Sequence, residues 1–302
     1  LASSTSQTTY GQPVTFTAAV LGTTTPPTGS VEFENGGTLM GSANLSAGQA
    51  VFTTTKLPVG MNNVVTAVYQ GTTSITASSS NGITVAVSPA PTTVTLTDSE
   101  QAEGNSFVYG TPLTLTAMVA ASGTSAVPTG SVTFYNNGSV IGQNTLTAGS
   151  ALVTVVLPAN VVPPNQNPGA LTAEYVPSTM GFVGSSTSAP VYTEITQANA
   201  AVSLTSSTEF AMVGQPVTFT AVVTNLSNAT VPTGQVEFLS GSTNLATVTI
   251  GPGGVATFTT TTLAVGDYSV TAVFIPTGAD DGEPDFEPVY SSGMTLVIGP
   301  DV

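Results

Sequence analysis

The chain has 302 residues, of which 6% are charged: one lysine, no arginine, no histidine and 16 acids, for a formal net charge of −15. So few cations cannot neutralise phosphate or an anionic lipid surface, which excludes nucleic-acid binding and polybasic membrane attachment. Without cysteine or histidine there is no thiol nucleophile, imidazole base or ordinary zinc site, whereas a hydrophobic fraction of 40% is enough for buried cores.

In chain order, the first clear element is Val14-Thr15-Phe16-Thr17-Ala18, continued by Val20. Apolar and polar residues alternate there, the pattern of a strand with one buried face. Pro27-Thr28-Gly29 follows, and Val31 and Phe33 begin a second strand. Asn35-Gly36 supplies the positive φ angles of a tight hairpin turn. A further strand is expected at Val64-Val65-Thr66-Ala67-Val68-Tyr69.

The series then repeats. Tyr10-Gly11-Gln12-Pro13-Val14 returns as Tyr109-Gly110-Thr111-Pro112-Leu113 and as Val213-Gly214-Gln215-Pro216-Val217. Pro-Thr-Gly recurs at Gly130 and Gly234, followed by Val132 and Phe134 and by Val236 and Phe238. The second copy has its own turn at Asn137-Gly138. Leu171-Thr172-Ala173-Glu174-Tyr175 and Val270-Thr271-Ala272-Val273-Phe274 match the later strand. A period near 100 residues is too long for a solenoid unit and fits a small β-domain. The abundant β-branched threonine favours strands, and no helical periodicity is found. The expectation is an all-β chain of three tandem sandwiches, at residues 1–88, 89–197 and 198–302. The junctions Ser88-Pro89-Ala90-Pro91-Thr92 and Thr196-Gln197-Ala198-Asn199-Ala200 are too short for loose tethers, which predicts a rod-like array.

Gly-x-Pro-Val-Thr-Phe-Thr-Ala, Pro-Thr-Gly-x-Val-x-Phe and Leu263-x-Val265-Gly266-x-Tyr268-x-Val270-Thr271-Ala272-x-Phe274 resemble bacterial Ig-like repeat domains of surface proteins. The resemblance covers nearly the whole chain. It implies immunoglobulin-like sandwiches in a secreted or cell-surface protein, in a family of spacers, stalks and adhesion modules without a shared catalytic motif. The second copy departs from the pattern between Leu157 and Ala170, where a distinct loop is expected.

Two features invite a site reading. Asp280, Asp281, Glu283, Asp285 and Glu287 crowd one segment with no neighbouring cation. In the implied Ig topology this segment and the loop carrying Asp98, Glu100 and Glu103 face one junction, with Glu194 nearby. Clustered carboxylates suit Ca²⁺, which would brace the joint; the bland reading is a solvated acidic loop without an EF-hand pattern. Lys56 is the one residue that an isopeptide cross-link of the family's kind could use, and it reads instead as an exposed strand end. Glu32 and Glu237 sit between core-facing Val and Phe, so they point outward rather than into a catalytic cleft. The sequons at Asn44, Asn137, Asn225 and Asn228 are no more than this Ser- and Thr-rich composition yields by chance. An aromatic content of 7% without tryptophan does not suggest a sugar platform.

The sequence reading is a non-enzymatic, extracellular structural protein, a segment of a cell-surface stalk or self-assembling filament. The alternative is an adhesin, stiffened by Ca²⁺, that binds a ligand through its loops. Partners are expected to be flanking Ig-like domains or further copies joined head to tail. Leu1, without an initiator Met or signal pattern, reads as a processed or excised start. Leu1 aligns with Leu204, so the place of Val202 precedes it; the projecting tail of Pro300 and Val302 is expected to approach that place in a following copy. No apolar run reaches the 18 residues needed to span a bilayer, so no membrane insertion is expected. The single lysine leaves trypsin-like proteases one cleavage residue, which suits a protein outside the cell.

Overall fold

The computed structural model describes residues 1–22, 26–99, 107–157, 159, 169–182, 186–277 and 284–301. They form two compact units. The first comprises Leu1–Thr97, Thr116–Val153 and Thr172–Pro190; the second comprises Asp98–Leu115, Thr154–Leu171 and Val191–Val302. The division passes through the second repeat. Among the described residues the regular structure is strand, apart from one 3-10 turn at Pro252–Gly254.

The first unit contains the first repeat entire. Its smaller sheet runs Ala2–Ser3, Val14–Ala19, Gln49–Thr54. The larger runs Gln7–Thr9, Ile83–Ser88, Gly60–Tyr69, Ser30–Asn35, Thr38–Asn44, and Ser78–Ser79 also pairs with Gly60–Tyr69. The opening segment thus changes sheets between Ser3 and Gln7 and meets the last strand in parallel register, Gln7 opposite Ala86. Val14, Phe16 and Ala18 point inward as their alternation predicts, against Val31, Phe33, Val65, Ala67 and Tyr69. The second unit repeats this plan in the third repeat, where Val217, Phe219, Ala221 and Val223 face Val236, Phe238, Val270, Ala272 and Phe274. In the second repeat Leu113, Leu115, Ala117, Val119, Val132, Phe134, Ala173 and Tyr175 are all buried.

In the first two repeats the Pro-Thr-Gly triplet is tied to the later strand through its main chain. Its threonine carbonyl accepts the buried tyrosine hydroxyl of the later strand, Tyr69 to Thr28 at 2.8 Å and Tyr175 to Thr129 at 2.8 Å. Burying a phenol requires such a partner. In the third repeat Phe274 replaces the tyrosine and no partner is needed.

One turn differs from expectation. Asn136 pairs with Ser139, so Asn137-Gly138 is the two-residue loop, with φ of +48° and +82°. In the first repeat Asn35 pairs with Thr38, which makes the loop Gly36-Gly37, one residue later than predicted. Both central positions need positive φ, and Gly-Gly meets that demand with less strain than Asn-Gly.

Candidate functional site

Two junctions, one inside each unit, are built from equivalent residues. Tyr10 and Tyr109 each follow the short parallel strand, and their N–H groups donate to Ser88 and Thr196 at 2.8 Å. In the first junction the Tyr10 ring meets Phe182 edge to face, with centroids 5.7 Å apart. In the second, Tyr109 meets Phe286 in the same way at 5.4 Å. The linker alanines complete the pattern. Ala90 and Ala198 are fully buried, pair in parallel with Phe182 and Phe286, and donate to the carbonyls of Gly181 and Asp285.

The glycine after each tyrosine is covered as well. Gly11 and Gly110 have φ of +81° and +87°, and a Cβ there would collide with Thr124 at the first junction and with Thr230 and Asn228 at the second. The loop that covers them is itself capped: Thr124 Oγ1 accepts from Ala126 N and Asn228 Oδ1 from Thr230 N, each at 3.0 Å. Short polar side chains hold turns in this way.

The second junction carries more polar ties. Asn228 Nδ2 donates to the Tyr109 carbonyl at 2.6 Å, and Gln197 Nε2 donates to the Pro284 carbonyl at 2.8 Å. Asp285 is 6% exposed; its Oδ1 accepts the N–H of Ala159 at 2.9 Å, and its carboxylate is hydrogen-bonded to the Tyr109 hydroxyl. Burial, then the Asp285 charge and the hydrogen bond to it, raise the Tyr109 hydroxyl above its ordinary pKa. Phe286 is 1% exposed and also meets Phe274, at 6.0 Å.

The acidic residues singled out from sequence are distributed as follows. Asp280, Asp281, Glu283 and Glu100 lie outside the described residues, as does Glu103. Asp98 accepts a hydrogen bond from Thr193 Oγ1, Glu287 is exposed, and Asp285 is built into the junction as above. Among the described residues no three acids come together in a way that could hold a metal ion. Most of the loop expected between Leu157 and Ala170 also lies outside the described residues, but Ala159 is described and fully buried. Lys56 is exposed. Glu32 lies on the face opposite Val31 and Phe33, half-buried, and accepts from Gln70 Nε2 at 2.6 Å. Of the sequon asparagines, Asn225 and Asn228 are bonded to one another at 2.7 Å.

Of the residues expected to serve assembly, Pro300 is exposed and Val302 lies outside the described residues. Leu1 lines a groove of about 260 Å³ with Ala18, Val20, Val31 and Tyr69. In the third repeat the equivalent strand edge is occupied, with Val202 opposite Val223.

A family model for the bacterial Ig-like domain (group 3) matches residues 1–88, 92–196 and 204–298. The chain belongs to the bacterial Ig-like domain family, group 3. Three bacterial Ig-like domains in tandem account for the threefold pattern in the sequence. Similar solved structures include the D0–D1 domains of intimin, 16% identical over 64% of this chain and 93% of that one, with a TM-score of 0.24. An ice-binding, Ca²⁺-stabilised adhesin of an Antarctic bacterium is 15% identical over 97% of this chain and 69% of that one, TM-score 0.29. The fibronectin(III)-like modules of Clostridium thermocellum CbhA are 17% identical over 68% and 94%, TM-score 0.27. No curated protein matches the chain. Among the described residues no helix is long and apolar enough to cross a membrane.

Proposed function

We propose that this bacterial Ig-like chain is a non-enzymatic structural spacer of a surface or secreted protein, whose work is to hold successive sandwiches at fixed joints. The observation that carries this reading is the repeated junction: tyrosine of one repeat on phenylalanine of the next, with the linker alanine buried between them. A tether needs no such contacts, because a loose linker leaves its backbone solvated. Here each linker is paired into the following repeat, so bending requires breaking hydrogen bonds and exposing an aromatic ring. Family membership, the scarcity of trypsin sites and a composition without cysteine or histidine support the same reading.

The test exploits the cysteine-free chain. Spin labels on cysteines placed at Met61 and Met118, which are 72% and 62% exposed, report distances across the first junction. A narrow distance distribution that broadens on Phe182→Ala supports the spacer reading. A wild-type distribution already as broad as the variant's overturns it.

A further inference from the structure

The crossing between sheets carries a motif of its own. Ser3-Ser4-Thr5 in the first repeat returns as Ser206-Ser207-Thr208 in the third, where the opening segment leaves the smaller sheet for the larger. Each hydroxyl has the same partner in both copies. The first serine donates to the carbonyl of the threonine, Ser3 to Thr5 and Ser206 to Thr208. The second accepts an N–H of the next strand, from Thr15 to Ser4 at 3.1 Å and from Thr218 to Ser207 at 3.0 Å. In the second repeat Ser99 accepts from Thr114 N at 3.4 Å, and the matching residues are Asp98-Ser99-Glu100, without the threonine.

The threonine reaches a different place from the serines. Gln7–Thr9 and Phe210–Met212 are edge strands of their larger sheets. Alternate residues make the inward bonds: the Ser6 carbonyl accepts from Ala86 N and Tyr10 N donates to Ser88, as Glu209 and Val213 do with Val297 and Gly299. Gln7 and Phe210 therefore turn their N–H and C=O away from the sheet. Groups left in that position are a template for a further strand. Thr5 Oγ1 accepts the Gln7 N–H at 3.2 Å and donates to the Gln7 carbonyl at 2.6 Å. Thr208 treats Phe210 in the same way, at the same two distances. The next outward carbonyl, of Thr9 or Met212, accepts from Gln12 or Gln215 at 3.0 Å. The opposite edge of these two sheets is blunted by another device, a β-bulge with Met40 or Leu245 as the extra residue.

We propose that Thr5 and Thr208 are edge locks: by occupying the outward N–H and C=O of Gln7 and Phe210, each hydroxyl bars a strand of another Ig-like repeat from extending the sheet. The need arises from repetition. Joined repeats meet one another at an effective concentration on the order of 1 mM, and their strands are near copies, so an open edge in one fits a strand of another. Gln7 is exposed even with the following repeat docked on Tyr10, so the junction does not cover this edge. The hydroxyl wins the competition because its bonds close over two residues, at little cost in chain entropy.

The experiment compares three paired variants of the full chain, incubated at about 1 mM and followed by sedimentation velocity and hydrogen exchange. Thr5→Val with Thr208→Val keeps the branched shape and removes the hydroxyls. Thr5→Ser with Thr208→Ser keeps the hydroxyls. Ser4→Ala with Ser207→Ala removes bonds of the same crossing that do not reach the edge. The valine pair is expected to lose monomer about tenfold faster than wild type or more, because an unlocked edge accepts strands. Its Gln7 and Phe210 amides lose their protection from exchange. The serine and alanine pairs are expected to match wild type in both readings. Thr5→Val alone, at a half-buried position, gives the same comparison at Gln7 if the paired variant does not fold. A valine pair as monomeric as wild type overturns the proposal. So does an alanine pair that associates as fast as the valine pair, since loosening the crossing would then be the cause.

Discussion

At the first junction the carbonyl that receives the linker alanine belongs to Gly181, and a Cβ there would lie 2.6 Å from the Tyr10 ring. At the second the same carbonyl belongs to Asp285, whose side chain bonds the tyrosine hydroxyl and the backbone of Ala159. The ring contact and the alanine bridge are common to both, so they constitute the joint. The carboxylate and the Asn228 and Gln197 ties are additions at the second. An aromatic pair gives both junctions their burial, and polar groups adjust how firmly the second is held.

The largest effect separates what is common from what is added. Phe286→Ala removes a fully buried ring that meets two others and is expected to cost ~3–5 kcal/mol. Phe182→Ala is expected to cost somewhat less, since Phe182 is 5% exposed and Phe286 1%. Denaturant unfolding together with hydrogen exchange at Ala198 and Ala90 measures both. If either variant leaves its alanine fully protected, the aromatic pair is not what closes that junction.

A swap of the divergent residues is the next strongest test. Asp285→Gly leaves the buried Ala159 N–H without its acceptor, for an expected loss of ~1–3 kcal/mol. Gly181→Asp is expected to destabilise as well, by ~1–3 kcal/mol, because the new side chain drives into the Tyr10 ring. Stabilisation by Gly181→Asp would mean that the two junctions are interchangeable.

The smallest effect lies in the hydroxyl. Tyr109→Phe is expected to cost ~1 kcal/mol near neutral pH. The folded state raises the Tyr109 pKa, so it favours the protonated hydroxyl. That contribution is complete below the ordinary tyrosine value of about 10 and is lost as pH rises through the raised value. Melting followed into the alkaline range should therefore show a decline that Tyr109→Phe reduces.

Much of the fold was legible because alternation reports which face of a strand is buried. Val14, Phe16 and Ala18 show this, and so do their copies. The Gly36-Gly37 turn was misplaced by one residue because Asn35-Gly36 and Gly36-Gly37 both satisfy turn chemistry, and only the pairing of Asn35 with Thr38 decides. The junctions were harder to see. Tyr10 and Tyr109 entered the sequence reading as landmarks of the repeat, since a residue covered by a neighbouring repeat looks like a surface residue to a period of two. A signal was present: tyrosine at positions 10 and 109 goes with phenylalanine at 182 and 286. The role of Asp285 had no such signal. One of its partners is a main-chain N–H 126 positions away, and a backbone donor leaves no mark on residue type.

The parallel pairing of each repeat's opening segment with its last strand determines how the molecule meets tension. Gln7–Thr9 runs beside Ala86–Ser88, Phe107–Val108 beside Ile195–Thr196, and Phe210–Met212 beside Val297–Gly299. A pull that enters a repeat through its first residues and leaves through its last draws these two strands past each other along their length. Their hydrogen bonds then bear the load together, in shear, instead of opening one after another like a zipper. The bonds of these parallel pairs thus lie where force enters and leaves each sandwich.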